Sequence, residues 1–430
     1  MNAMPPTGIV DIHFPSAEVP ERPRVLWINC RLLHPLVGGD RLRTYHMLRH
    51  LKRKFHISYA CPITDSDLPE SYQNADEYCD RFTGFPHHFP KRGGVEFALR
   101  ALWNSLTGSL PYMARKYVSP SFTTWLDKEA SGSTYNLIVC DYLVSFVHIQ
   151  TLLHHPRAPV VVFQHNVESL IWQRHAASSR HPLKKWVFKR EATLALRMEE
   201  SCGKVADGQI TVSPDETHYF RNVRKMVNTL GDVPTGVDAA FFAPASEPEP
   251  YTLAFLGSMD WEANRQAVRE FMASSLPLIM AQFPQTRFLI IGRNPPQDLV
   301  EAAERDPSLI VTGTVDDVRP FLARASIMVL PLKVGGGTRI KVYEAMAAGL
   351  AIVSTSIGVE GLPVVSGEHL VIAEGGKATT DAVIELFRNP ENRRKIAATG
   401  RQFVEQHCSW ESAATQFERL CVPLLAPKGS

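Results

Sequence analysis

Gly335, Gly336, Gly337, Thr338, Arg339 and Lys341 stand almost in a row, with Glu344 just beyond them. Glycines let a ligand approach the backbone closely, and the first turn of a helix offers unpaired N–H groups and a partial positive charge. Two cations in that turn oppose the helix dipole unless an anion neutralises them, and a diphosphate does so. Glu344 lies six residues past Thr338. That is about 9 Å along a helix axis, a fitting reach from a phosphate to a ribose whose hydroxyls a carboxylate can accept from. Read without a ligand, the same residues are a structural unit with a solvated basic turn and a Lys341–Glu344 surface pair in the weaker order.

Simple elements position this set. Ile327 to Leu330 is a short apolar run of the kind that forms a buried parallel strand. Thr338 fits the N-cap of a helix over Arg339 to Ala348, and Gly349 fits its left-handed stop. Ile352 and Val353 begin the next strand. The whole run, GGGTRIKVYEAMAAGLAIVST, resembles the nucleotide-binding segment of retaining glycosyltransferase family 4, built on the GT-B fold. That family usually carries a second glutamate eight residues before the one matched by Glu344, and here that position is Gly336. The departure bears on donor-sugar contacts.

A chain of 430 residues is too long for one ordinary core, so two domains are expected. Hydrophobic content of 44% with 21% charged residues is that of a globular protein, and a net charge of +2 gives no case for nucleic acid. Seven scattered cysteines without a CxxC point to a reducing cytosol and away from a disulfide frame or zinc site. No run approaches membrane-spanning length, and the N-terminus lacks the basic-then-apolar pattern of a leader. Cytoplasmic action is expected, with peripheral contact at the inner membrane face.

Residues 1–23 read as a loose Pro-rich tail. Arg24 to Asn29, a loop with Gly38 and Gly39, a helix from about Arg41 to Lys54 and Phe55 to Ala60 form a first doubly wound unit. Tyr135 to Cys140 is a strand ending in Asp141, and Pro159 to Phe163 is another, followed by Gln164, His165 and Asn166. Polar residues just past a parallel strand sit where open α/β sheets bind ligands, so His165 is the candidate substrate contact of the first half. The segment from Pro90 to Tyr117 mixes basic residues with Leu99, Trp103 and Leu106. It fits either an ordinary surface helix or one that lies on anionic lipid. A long helix over about Glu168 to Cys202 carries Arg174, Arg180, Lys184, Lys185, Lys189 and Arg190, either a solvated face or a docking face for a membrane or lipid-diphosphate. The polar stretch from Ala243 to Pro250 reads as a linker. In the second half, strands ending at Gly257, Gly292 and Gly313 point to one crevice.

The expected architecture is therefore α/β: two doubly wound Rossmann-like domains facing across a cleft. They span residues 24–240 on the acceptor side and 241–408 on the nucleotide-sugar side, with 409–430 as a helix returning to the first domain. The resemblance implies Gly257 and Ser258 near the phosphates, Gly292 near the nucleoside, and Thr314 and Val315 near the base. It implies Gly336, Gly337 and Thr338 at the diphosphate, and Gly38 and Gly39 in a loop over the phosphates or acceptor. His165 then lines the sugar pocket. Arg339 and Lys341 stabilise the leaving diphosphate without a metal or cofactor, and retention follows transfer on the leaving-group face. The expected activity is sugar transfer from a nucleotide-diphosphate sugar to a glycan or lipid-diphosphate-linked acceptor in surface or exopolysaccharide synthesis. A sugar-nucleotide epimerase of the same plan, or a non-catalytic sugar-nucleotide-binding subunit, are the alternatives.

Overall fold

The computed structural model describes residues 8–15, 22–36, 38–64, 67, 69–89, 95–131, 134–149, 158–244, 247–334 and 339–425. Gly336, Gly337 and Thr338 lie outside these. The chain divides into two compact units, Met1–Pro234 with Ala413–Ser430, and Thr235–Ser412.

In the first unit the apolar runs become β1 (Val10–His13), β2 (Arg24–Ile28), β3 (His56–Ile63), β4 (Arg81–Pro86), β5 (Leu137–Asp141), β6 (Val160–Phe163), β7 (Gly208–Thr211) and β8 (Thr229–Asp232). They form one sheet in the order β1-β4-β3-β2-β5-β6-β7-β8. All neighbours are parallel except β1 against β4. Every residue of β5 and β6 is buried, as a central strand covered on both faces requires. The chain steps outward from β2 to β3 and β4, then returns to place β5 on the other side of β2. The carboxyl ends of β2 and β5 are thus the switch point of this sheet, where such folds open a crevice.

The second unit repeats the pattern more strictly. Its strands are β9 (Thr252–Leu256), β10 (Arg287–Ile291), β11 (Leu309–Gly313), β12 (Ile327–Leu330), β13 (Ala351–Ser354) and β14 (Val371–Ile372). The order is β11-β10-β9-β12-β13-β14, parallel throughout. This is the strand order of a dinucleotide-binding fold, with its switch point between β9 and β12. Phe255, Ile290, Met328, Val342 and Met346 are among the core residues that glue the helices to the sheet.

Four expectations need correction. The N-terminal tail is not loose throughout, since Val10–His13 pairs in register with β4, Val10 opposite Gly84. Arg81 holds Asp11 at 2.8 Å and fixes that edge. The long basic helix is two helices, Glu168–Ser178 and Pro182–Val205, because Pro182 can start a helix but not continue one. The units divide at Pro234/Thr235, earlier than the Pro-rich stretch. Val237 N donates to the Cys408 carbonyl at 2.8 Å, and Gly236 lies against Trp410, which ties this segment to the second unit. Finally, Arg339 takes the N-cap place expected of Thr338, with the helix running Ile340–Ala347.

The last helix, Trp410–Leu425, joins the first unit from Ala413 onwards. Phe417 packs on Trp27 and Phe163, with ring centroids 5.3 and 5.4 Å away. All seven cysteines are free thiols in the interior.

Candidate active site

The helix Ile340–Ala347 leaves the β12 side of the switch point and ends in a tight stop. Gly349, at φ +75°, donates to the Met346 carbonyl, and Leu350 donates to that of Ala345, the paired bonds of a Schellman motif. The stop fixes which residues face the carboxyl edge of the sheet. Lys341 is in the first turn. Its Nζ donates to Asn264 Oδ1 at 3.2 Å and lies 5.3 Å from the centroid of the Phe255 ring. Asn264 is itself oriented by donating to the Ser258 carbonyl at 2.7 Å. The ammonium group thus stands at the end of β9, where a Cβ on Gly257 would come within 2.8 Å of it. Gly257 is therefore a glycine because Lys341 and Asn264 occupy the space a side chain would need.

Gly292 has a different reason for its type. A Cβ there would fall 2.0 Å from the Gly257 carbonyl oxygen, so the ends of β9 and β10 could not stay side by side. Ser258 is engaged by Arg293, whose Nε donates to its Oγ at 3.1 Å and also meets Asp260 at 2.8 Å. Gly257, Ser258, Gly292 and Lys341 are thus gathered at one place. Thr314 and Val315 follow the edge strand β11; Thr314 is exposed and Val315 packs partly on the core.

The two cations expected to act as a pair differ in setting. Arg339 is buried in a left-handed backbone conformation at φ +49°, and its Nη2 meets Glu360 Oε2 at 3.4 Å. Lys341 has no carboxylate at ion-pair distance among the described residues. Burial pulls its pKa down to about 7, Arg339 adds to this, and Glu344 opposes it. Burial pushes Glu344 up to about 7 against the attraction of Lys341. An ammonium held at the edge of deprotonation, beside a second cation, is a site that an anion would stabilise strongly.

The first unit holds a second cluster at its own switch point. Asp141, the last residue of β5, is fully buried. Its Oδ2 accepts from Trp27 Nε1 at 2.9 Å, Asn29 Nδ2 at 2.8 Å and Thr44 Oγ1 at 2.7 Å. Its Oδ1 lies 2.6 Å from His165 Nε2. With the carboxylate as acceptor to all four, Nε2 carries a hydrogen, and in the neutral ring Nδ1 then holds the lone pair. Among the described residues Nδ1 has no hydrogen-bond partner. His165 follows β6 as expected but is only 3% exposed, its ring set edge-on to Tyr142 and Phe163. Beside it Glu168 accepts from Tyr142 Oη at 2.8 Å and Asn166 Nδ2 at 2.9 Å. Burial raises the Glu168 pKa against those bonds.

Gly38, at φ +103°, is the N-cap of the helix Gly39–Leu51, and Arg31 meets Asp40 of its first turn at 3.3 Å. Burial works against the Asp40 charge, but Arg31 and His165 outweigh it and hold the carboxyl below its ordinary range. Sequence reading gave no role to Asp141, although it ends a strand as His165 nearly does, and that position was the available signal. It also missed Glu360, which contacts Arg339 from more than one turn beyond β13. Among the described residues, no three His, Cys, Asp or Glu side chains stand together as a metal site.

The second unit is a doubly wound sheet with the half-buried Lys341 at its switch point, and comparison with known proteins shows what the chain is similar to. Residues 250–389 match the family described as glycosyl transferases group 1. Over 199 residues the chain is 29% identical to the phosphatidyl-myo-inositol mannosyltransferase of Mycolicibacterium smegmatis, covering 44% of this chain and 50% of that protein. The chain thus spans about half the length of the curated relatives it matches. Among solved structures, the sucrose-phosphate synthase of Thermosynechococcus elongatus superposes with a TM-score of 0.70 at 19% identity, over 94% of this chain and all (100%) of that one. HepE of Anabaena, in complex with UDP and glucose, gives 0.66 at 12% identity, over 94% and 100%. The chain has the two-domain GT-B fold, and residues 250–389 are a glycosyl transferases group 1 domain. The resemblance of the central segment is borne out.

Proposed function

We propose that the chain is a glycosyltransferase that uses a nucleotide-diphosphate sugar as donor. The observation that carries this reading is Lys341 Nζ, held at the end of β9 by Asn264 against the glycine at 257. A diphosphate in that crevice would restore the full charge of Lys341 and draw on it as negative charge grows on the leaving group. Glu344 serves the ribose, and the residues after β10 and β11 serve the base. The group 1 family match supports the same reading, and so does a relative that is itself a mannosyltransferase.

His165 is the proposed polar contact for the sugar or acceptor. Asp141 fixes its tautomer and leaves Nδ1 able to accept from a hydroxyl once the neighbouring groups open. Retention of anomeric configuration, independence of metals and cofactors, and a glycan or lipid-diphosphate acceptor in surface or exopolysaccharide synthesis complete the proposal.

The test is calorimetry of the full chain with UDP-, GDP- and ADP-sugars, followed by transfer assays with membrane lipid extracts. Lys341→Ala should weaken binding of the preferred donor by more than about tenfold with the fold retained, as expected for losing a charge-assisted contact. Unchanged affinity refutes the assigned role. Conversion of a donor without any acceptor, read by proton NMR, would indicate an epimerase, and binding without turnover a non-catalytic subunit.

A further inference from the structure

Among its described side chains, the helix Val95–Thr107 is turned inside out for a helix in water. Its polar Asn104 and Ser105 are buried, at 3% and 1% exposure. Its apolar Leu99, Trp103 and Leu106 face outward, with Trp103 68% exposed. Their spacing of four and three residues makes one continuous stripe. The inversion is built in. Asn104 Nδ2 donates to the Leu110 carbonyl at 3.0 Å, and Arg190 donates to the carbonyls of Ser105 and Gly108 at 3.1 and 3.2 Å. Rolling the helix to hide Trp103 would break these bonds.

Arg190 belongs to the helix Pro182–Val205, whose first turns expose Leu183 and Trp186. Trp186 is one turn before Arg190, so the two exposed tryptophan-bearing segments are joined through the same arginine. Along the sequence the flanking charge is mostly basic, with Glu96 in the first turn of the helix Val95–Thr107 the acidic exception. From Phe97 to Val118 and from Ser169 to Arg190 there is no aspartate or glutamate, although the chain as a whole holds 44 against 46 Lys and Arg. Lys184, Lys185 and Lys189 are exposed beside Trp186, and Arg100 beside Leu99.

We infer that this face of the first unit docks on an anionic phospholipid surface, with Leu99, Trp103, Leu106, Leu183 and Trp186 entering the headgroup–acyl boundary and the lysines meeting lipid phosphates. Apolar anchors with tryptophan at the boundary and an unbalanced basic margin match a bilayer, which is apolar beneath and negative above. A second copy of this chain would bring the same positive charges against each other. No described helix is long and apolar enough to cross a membrane, so the contact proposed is one of surface only. It does not depend on the proposed transfer activity, and its test reads binding alone.

The full chain is to be sedimented with phosphatidylcholine–phosphatidylglycerol vesicles and with phosphatidylcholine vesicles. The expected result is binding to the first, weak binding to the second, and loss at high salt. Trp103→Ser with Trp186→Ser should lower the partition coefficient at least about tenfold with an unchanged melting temperature, since both side chains are exposed. Lys184→Gln with Lys185→Gln, which leaves the apolar stripe whole, should lower it several-fold on anionic vesicles only. Protein left in the supernatant with anionic vesicles, or equal binding by both double variants and the parent, overturns the inference. So does a dimer of the parent that the tryptophan variant loses, with no vesicle binding by either.

Discussion

In the proposed reaction Lys341 carries the central chemistry, and burial leaves its charge marginal. Its pKa lies at about 7, so a diphosphate that needs the ammonium form must bring a proton with it above that pH. Donor affinity should therefore fall as pH rises above 7, by up to about tenfold per unit. Below about 7 the raised pKa of Glu344 protonates the carboxylate proposed to accept from the ribose, so affinity should fall on that side too. Calorimetry across pH should show a maximum near neutrality. Lys341→Arg should lose the alkaline limb, and Glu344→Gln the acid limb. A flat profile in the parent would show that neither group titrates on binding. At Asp141 the effect belongs to folding. Removing the carboxylate in Asp141→Ala leaves the donors of Trp27, Asn29, Thr44 and His165 buried without their acceptor. The cost should be about 3–5 kcal/mol in urea unfolding. A loss under about 1 kcal/mol would show that water replaces it readily.

Strand ends and helix ends do the positioning. β9 and β10 run so close that Gly292 cannot carry a side chain, while the atoms nearest a Cβ on Gly257 belong to the side chains of Lys341 and Asn264. The two glycines should therefore respond oppositely. Gly292→Ala meets backbone and should destabilise the second unit by about 1–3 kcal/mol or more. Gly257→Ala can be accommodated by moving Lys341, so it should leave the melting temperature nearly unchanged and weaken donor binding about as much as Lys341→Ala. Equal stability losses in the two variants would contradict this division. Strand and helix ends also explain why part of the fold was readable. Ile327–Leu330 and the stop at Gly349 are written in local patterns, an apolar run and a left-handed turn, and they form where those patterns place them. The break at Pro182 was also written, but the helical spacing on both sides masked it.

Across the whole molecule, the two-sheet plan was legible because glycine and polar residues punctuate the strands at regular intervals. What escaped notice depends on contacts between residues far apart in sequence. β1 is a strand because β4 offers it an edge, and four residues of modest hydrophobicity do not announce that. The boundary at Pro234/Thr235 is set by Val237 reaching Cys408, not by composition. In the site, the residue types of Lys341, Glu344, Gly257 and His165 were readable from strand and helix ends. The capture of Arg339 by Glu360 and the four-donor hub at Asp141 were not, since each joins side chains from separate elements. The inverted helix was half legible: its basic and aromatic mixture was plain, but which side it buries is decided by Arg190.

The most direct test of the account is a crystal structure of the full chain with its preferred sugar nucleotide. The diphosphate should lie at the carboxyl ends of β9 and β12 within hydrogen-bonding distance of Lys341 Nζ, with the ribose against Glu344. A ligand ordered in another crevice, with Lys341 still donating to Asn264 and the switch point empty, would contradict it.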